Sequence, residues 1–182
     1  MKGIVIYQSK YGATARYAKW ISTELDLPLF ETGELNTGDL NKYDLVILGS
    51  SVYIGKLLIK KWLRANLADI CNKKIFLFVV CGTPLNQKTK LDSYITSSVP
   101  AEVKNKCRIF FLPGKLKIKE LSWLDLVKLK MGALLAKSKT VKKAMLTDYN
   151  DVKKENLAEL IQAVQNLPFI KSQSFIQELS SN

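Results

Sequence analysis

Two hydrophobic patterns alternate along this chain. Residues 3–7, Gly-Ile-Val-Ile-Tyr, form a short β-branched run, followed by a polar loop with one glycine and then by Tyr17, Ala18, Ile21 and Leu25 at helical spacing. That order reads as strand, loop, helix. Residues 44–49 and 74–81 are continuous apolar runs ending in small residues, the pattern of central strands covered on both faces. Behind the first, residues 56–70 place Leu58, Trp62 and Ala65 on one helical face; behind the second, residues 87–104 predict a helix that opens polar. Residues 107–112 predict a further strand stopped by Pro113-Gly114, and residues 28–31 a short one. Residues 151–167 predict a last helix capped by Asn150 or Asp151.

Strands and helices alternating at this spacing imply right-handed crossovers and an α/β fold, a doubly wound five-stranded parallel sheet flanked by helices. Ligands of such sheets sit beyond the carboxyl ends of the strands, where the winding reverses. The loops after Tyr7, Leu48 and Val80 are therefore the places to look for chemistry. Residues 113–147 break the alternation and read as an inserted basic helical segment after the fifth strand, and residues 167–182 as a C-terminal tail. Residues 1–182 are expected to form one domain.

Composition narrows the chemistry more than the fold. The chain has no histidine, which removes Ser-His-Asp and Cys-His nucleophilic catalysis and imidazole metal sites. Cysteines at 71, 81 and 107 are odd in number and lack C-x-x-C spacing, so they read as thiols in a reducing compartment and not as a disulfide or zinc framework. The first apolar run is too short for a signal peptide, and no stretch approaches the ~18 apolar residues of a spanning helix. A cytoplasmic protein is expected, free or peripheral to the membrane.

Charge is unevenly placed. Residues 114–143 carry nine lysines against two acids, more than half of the net charge of +12. Only Arg16, Arg64 and Arg108 are arginines, and lysine point charges favour diffuse attraction to an anionic surface over specific nucleic-acid recognition. In the same segment Leu121, Leu124, Val127, Met131, Leu134 and Leu135 recur at helical spacing beside Trp123, with Lys117, Lys119, Lys128, Lys130 and Lys137 as the cationic complement. That is the pattern of a helix lying on an anionic membrane; the alternative is a helix packed on its own domain or on the partner in a homodimer.

The three loops differ in kind. In the first, Ser9, Lys10, Tyr11, Gly12, Ala13 and Thr14 run into a helix, so backbone N–H groups, the helix dipole and two hydroxyls can hold a phosphate. A plain turn with Thr14 as N-cap is the alternative. The second, Gly49, Ser50, Ser51, Val52, Tyr53, Ile54 and Gly55, lets a flat ligand approach the backbone and offers Tyr53 for stacking, unless that ring serves packing. It is no nucleotide P-loop, because five residues separate Gly49 from Gly55 and Leu57 stands where a hydroxyl would bind magnesium. The third, Cys81, Gly82, Thr83 and Pro84, is tight and small. G-x-G-x-x-G is absent, so a mononucleotide with an aromatic head fits better than a dinucleotide.

On these residues the chain, over about 2–166, resembles the flavodoxin-like proteins that bind FMN, and more narrowly the branch that includes the menaquinone-dependent protoporphyrinogen oxidases. The family pattern S/T-x-T/Y-G-x-T falls on Ser9 to Thr14 and implies that this loop wraps the FMN phosphate. The resemblance further implies ring contacts from Ser50, Ser51, Val52, Tyr53, Ile54 and Gly55 and from Cys81, Gly82 and Thr83, and a long basic segment like residues 113–145. It implies an FMN-dependent oxidoreductase in which the flavin carries the chemistry and no side chain or metal is catalytic, acting on a quinone, a porphyrinogen or another flavoprotein. Flavodoxin-type electron transfer to a protein partner is the alternative, and a flavin-free binding module a third. Electron-carrier flavodoxins are acidic and clamp the ring between two aromatics; this chain is basic and its loops offer Tyr53 alone, which leaves one flavin face open.

Overall fold

The structure is a computed structural model that describes residues 1–35, 38–136 and 138–167. Lys137 and the tail from residue 168 onward lie outside them. Five parallel strands, β1 (Gly3–Gln8), β2 (Leu29–Glu31), β3 (Leu45–Tyr53), β5 (Lys74–Cys81) and β6 (Cys107–Pro113), stand in the order β2-β1-β3-β5-β6, and β4 (Lys56–Leu57) adds antiparallel to the end of β3. This is the expected doubly wound sheet. Successive residues of a strand point to opposite faces, and both faces are covered. Ile4, Ile6, Val46, Leu48, Leu77 and Val79 meet one set of helices, α2 (Lys60–Ala65), α3 (Leu67–Ile70), α4 (Lys88–Ser98) and α5 (Ala101–Lys104). Val5, Ile47, Phe76, Phe78 and Val80 meet Tyr17, Ala18 and Ile21 of α1 (Ala13–Leu25) and Leu160 and Val164 of α8 (Ala158–Gln165). Burial on both sides is why the central strands read as unbroken apolar runs.

Register brings the expected loops to one edge: Gln8 stands opposite Ser50, and Ser51 opposite Val80. β3 reaches four residues beyond its predicted end, so Gly49 to Tyr53 are strand and not loop. Gly49 is needed there because a Cβ would lie 2.2 Å from Cζ of Phe78. What remains of the second loop is the two-residue turn Ile54-Gly55, with φ of 47° and 71°, closing a hairpin in which Tyr53 pairs with Lys56. Paired positive φ values suit the twist of adjacent strands, although a β-branched residue there is strained.

Three other expectations are corrected. The helix expected over 56–70 begins at Lys60 and breaks at Asn66, whose side-chain amide donates to Trp62 O at 2.9 Å. The helix expected over 87–104 is two, because Val99 precedes Pro100 and is extended. Neither Asn150 nor Asp151 caps the last helix: Asn150 lies in β8 (Tyr149–Asn150), and a short 3-10 turn, Lys154–Leu157, leads into α8.

The segment between β6 and α8 has its own clasp. β7 (Lys115–Leu116) pairs antiparallel with β8, Lys115 against Asn150 and Leu116 against Tyr149. Between these feet stand α6 (Trp123–Leu135), capped by the Ser122 hydroxyl accepting from Asp125 N, and α7 (Lys139–Met145).

Candidate functional site

At the carboxyl edge of the sheet lies a cavity of about 610 Å³, within the ~300–1,000 Å³ of small-molecule sites. Its floor is the first loop. Gly12 takes the left-handed conformation, φ 79°, as N-cap of α1, and its N–H donates to Ser9 Oγ at 3.2 Å. Arg16 N–H is the first of the helix to bond back, to Gly12 O, so the amides of residues 13–15 have no partner inside the helix. Thr14 is therefore the second helical residue and not its cap. Its side chain is fully buried and Oγ1 has no hydrogen-bond partner; Ser51 Oγ is in the same condition. Both residues line this cavity. An unsatisfied buried hydroxyl costs about 1–3 kcal/mol, and two on residues that line one cavity suit a polar ligand that bonds them.

Of the residues expected at the site, Ser9, Lys10, Tyr11, Ala13 and Thr14 line the cavity, as do Ser51, Val52, Tyr53, Ile54, Cys81 and Gly82. Ser50 does not; it is buried on the other face of β3, where its hydroxyl donates to Ser51 O and accepts from Ile59 N. Thr83 is also turned away, its hydroxyl 2.8 Å from that of Tyr94. Gly12 and Gly55 shape the loops through their positive φ and do not line the cavity. Burial raises the Cys81 thiol above its ordinary pKa, which keeps it a thiol and no nucleophile.

The third loop holds no aromatic of its own, yet one reaches it. Tyr149, at the end of the clasp, lies against Gly82 so closely that a Cβ there would come 2.0 Å from the phenol oxygen. Tyr149 lines the same cavity as Tyr53, and so does Tyr11, so the expectation that Tyr53 is the lone ring is corrected.

The roof is α6, and its chief polar contact is Asp125. This carboxylate, 7% exposed, pairs with Lys10 Nζ at 2.6 Å, accepts from the Tyr53 hydroxyl at 2.5 Å and accepts from the Tyr11 hydroxyl. Burial alone would raise the Asp125 carboxyl, but Lys10 and the two phenols outweigh it and hold it well below the usual carboxylate range. Lys10 Nζ also stands 3.9 Å from the centroid of the Tyr53 ring, and Lys128 Nζ donates to the Tyr53 hydroxyl at 3.0 Å. Leu121, Leu129 and Met145 complete an apolar ceiling. Sequence reasoning missed Asp125, Leu129, Met145 and Tyr149. Only Asp125 carried a signal, as an acid in a lysine-rich run three residues after a capping serine.

The Flavodoxin domain family matches this chain over residues 4–143. The chain belongs to the flavodoxin-domain family. Among curated proteins, an uncharacterized protein of Methanocaldococcus jannaschii is 29% identical over 85 residues, 46% of this chain, and the match spans 57% of that relative's length. Among solved structures, a flavodoxin from the domain Archaea aligns over 89% of this chain and 99% of its own, at 14% identity and a TM-score of 0.42. The Trp repressor binding protein of Bacillus subtilis aligns over 76% and 100%, at 12% identity and a TM-score of 0.41.

The outer side of α6 is left uncovered by the described residues. Trp123 is 74% exposed, and Leu124, Val127, Met131, Leu134 and Leu135 are exposed beside it, so the expected apolar stripe does not pack on the described residues. Leu121 and Met131 of that stripe also border the cavity. Among the described residues no helix is long and apolar enough to cross a membrane, and no group of acids and cysteines is arranged to hold a metal ion.

Proposed function

We propose that this flavodoxin domain binds FMN in the cavity beneath α6 and serves as an oxidoreductase for a hydrophobic substrate met at an anionic membrane surface. The observation that carries the cofactor is the pair of buried, unpartnered hydroxyls, Thr14 Oγ1 and Ser51 Oγ, on two residues that line one cavity at the start of a helix. Ser9, Thr14 and the amides of residues 13–15 would hold the phosphate; Ser51, Tyr53, Gly82 and Tyr149 would border the ring. With one phosphate cradle and no pyrophosphate fingerprint, FMN fits better than FAD. Bound FMN supplies hydride and single-electron chemistry, while the loops at the sheet edge orient it.

The substrate reading rests on the other side of α6. Its exposed leucines and Trp123 lie beside Lys130 and the lysines of α7, each worth ~1 kcal/mol near an anionic bilayer. A quinone or porphyrinogen would arrive there from the lipid, in keeping with the resemblance to menaquinone-dependent protoporphyrinogen oxidases. The test has two parts. The flavin released from purified protein on denaturation should be FMN. Sedimentation with anionic vesicles at low salt should carry the protein down, and Lys130→Glu/Lys142→Glu, which spares Lys128 because it touches Tyr53, should release it. FAD or no flavin refutes the cofactor; no vesicle binding, or binding indifferent to the substitutions, makes electron transfer to a protein partner the better reading.

A further inference from the structure

Asp125 is an odd roof support. At the third position of its helix an acid commonly turns back to its own N-cap amide, but here the Ser122 N–H donates instead to the Tyr11 hydroxyl, at 3.4 Å, and the carboxylate reaches across. Every donor it collects, Lys10, Tyr11 and Tyr53, belongs to the two segments that line the cavity floor. Apart from Asp125, only Ala133 is buried along α6. The chief polar hold on the helix is thus the cluster at its first turn, with an exposed apolar flank beyond it.

We propose that Asp125 is a built-in anion occupying the cationic end of the cavity, and that FMN competes with it for Lys10 and Tyr11 and so releases α6. This rests on the FMN reading above. A phosphate held by residues 9–14 brings negative charge close to the Asp125 carboxylate, which is unfavourable in a half-buried site. It also draws Lys10, the cation paired with Asp125. A flat ring stacking on Tyr53 would meet the Lys10 ammonium on the face it covers. Both parts of the ligand therefore favour the state in which the latch is broken, and a ligand shifts an equilibrium by its differential affinity for the two states. The clasp of β7 and β8 anchors both feet of the segment, so release moves α6 and α7 while Tyr149 stays against Gly82.

The measurement is FMN affinity by fluorescence quenching, at neutral pH and low salt, for the full chain and for Asp125→Asn. The variant keeps shape and loses charge, and it should bind FMN about tenfold more tightly, within the ~5–150-fold span of couplings between sites. Hydrogen exchange supplies a second readout. Amides of residues 123–135 should exchange faster in Asp125→Asn without ligand, and faster in the unmodified chain once FMN is added. Equal or weaker FMN binding by the variant overturns the competition, and slower exchange on adding FMN to the unmodified chain overturns the release. If FMN binds neither protein the cofactor reading fails and the competition with it, whereas unchanged exchange in ligand-free Asp125→Asn defeats the latch alone.

Discussion

Ile47 and Leu48 of β3 point to opposite faces of the sheet and both are fully buried, whereas Leu134 and Leu135 of α6 are 76% and 81% exposed. The two regions are equally apolar in sequence and differ in what covers them. In the sheet, helices lie on both faces, so each strand residue has a neighbour and the elements open only together. In α6 most of the large apolar residues are exposed, and a carboxylate with three partners supplies the chief polar hold. Segments with few buried apolar contacts are the ones that open locally, while a rigid scaffold positions loops for binding. The sheet edge is the fixed half of the site and α6 the movable half.

That contrast can be broken most directly by truncation. Phe78→Ala, in the sheet, should lower the unfolding free energy by about 3–5 kcal/mol, and Leu134→Ala, on α6, by less than about 0.5 kcal/mol, both read from urea denaturation. Comparable losses would mean that α6 packs on something in solution. Thr14→Val sharpens the distinction between holding the fold and holding a ligand. It should weaken FMN by roughly 10–100-fold, for the loss of a hydrogen bond to a charged group worth about 1.5–3 kcal/mol. It should leave stability unchanged or slightly higher, since the hydroxyl it removes has no partner in the protein.

The smallest expected effect is a flat one. The Asp125 carboxyl is depressed, so its contribution to docking α6 is present above the ordinary carboxylate pKa and is lost only as pH falls through the depressed value. Lys10 is raised: burial lowers it, but the bonds to Asp125 and Tyr53 outweigh that, so its contribution persists up to the ordinary lysine pKa and is lost as pH rises through the raised one. Tyr11, Tyr53 and Lys128 are the other titratable groups at the cluster. Protection of residues 123–135, corrected for intrinsic exchange, should therefore be constant from about pH 5 to pH 9. A change within that window would point to some group other than the Asp125–Lys10 pair.

Much of the architecture follows from local pattern. Continuous apolar runs at 44–49 and 74–81, with helical spacing between, are enough to specify parallel strands, and the handedness of their crossovers then sets the sheet and the edge where ligand loops gather. Thr14 and Ser51 were legible as candidates for the same reason. Which hydroxyls remain without a partner was not: Ser50 and Ser51 are adjacent and identical, and only the pleat of β3 sends one to Ile59 N and leaves the other unpartnered on a residue that lines the cavity. Nor could spacing show that Asp125 meets Tyr11 across 114 residues and Tyr53 across 72, or that Tyr149 fills the space beside Gly82. Periodicity records which side of an element is apolar, a property of neighbours in the chain. The partners of a single buried charge or ring depend on where distant segments come to rest, and in this protein the folding back of residues 115–150 over the sheet edge determined them.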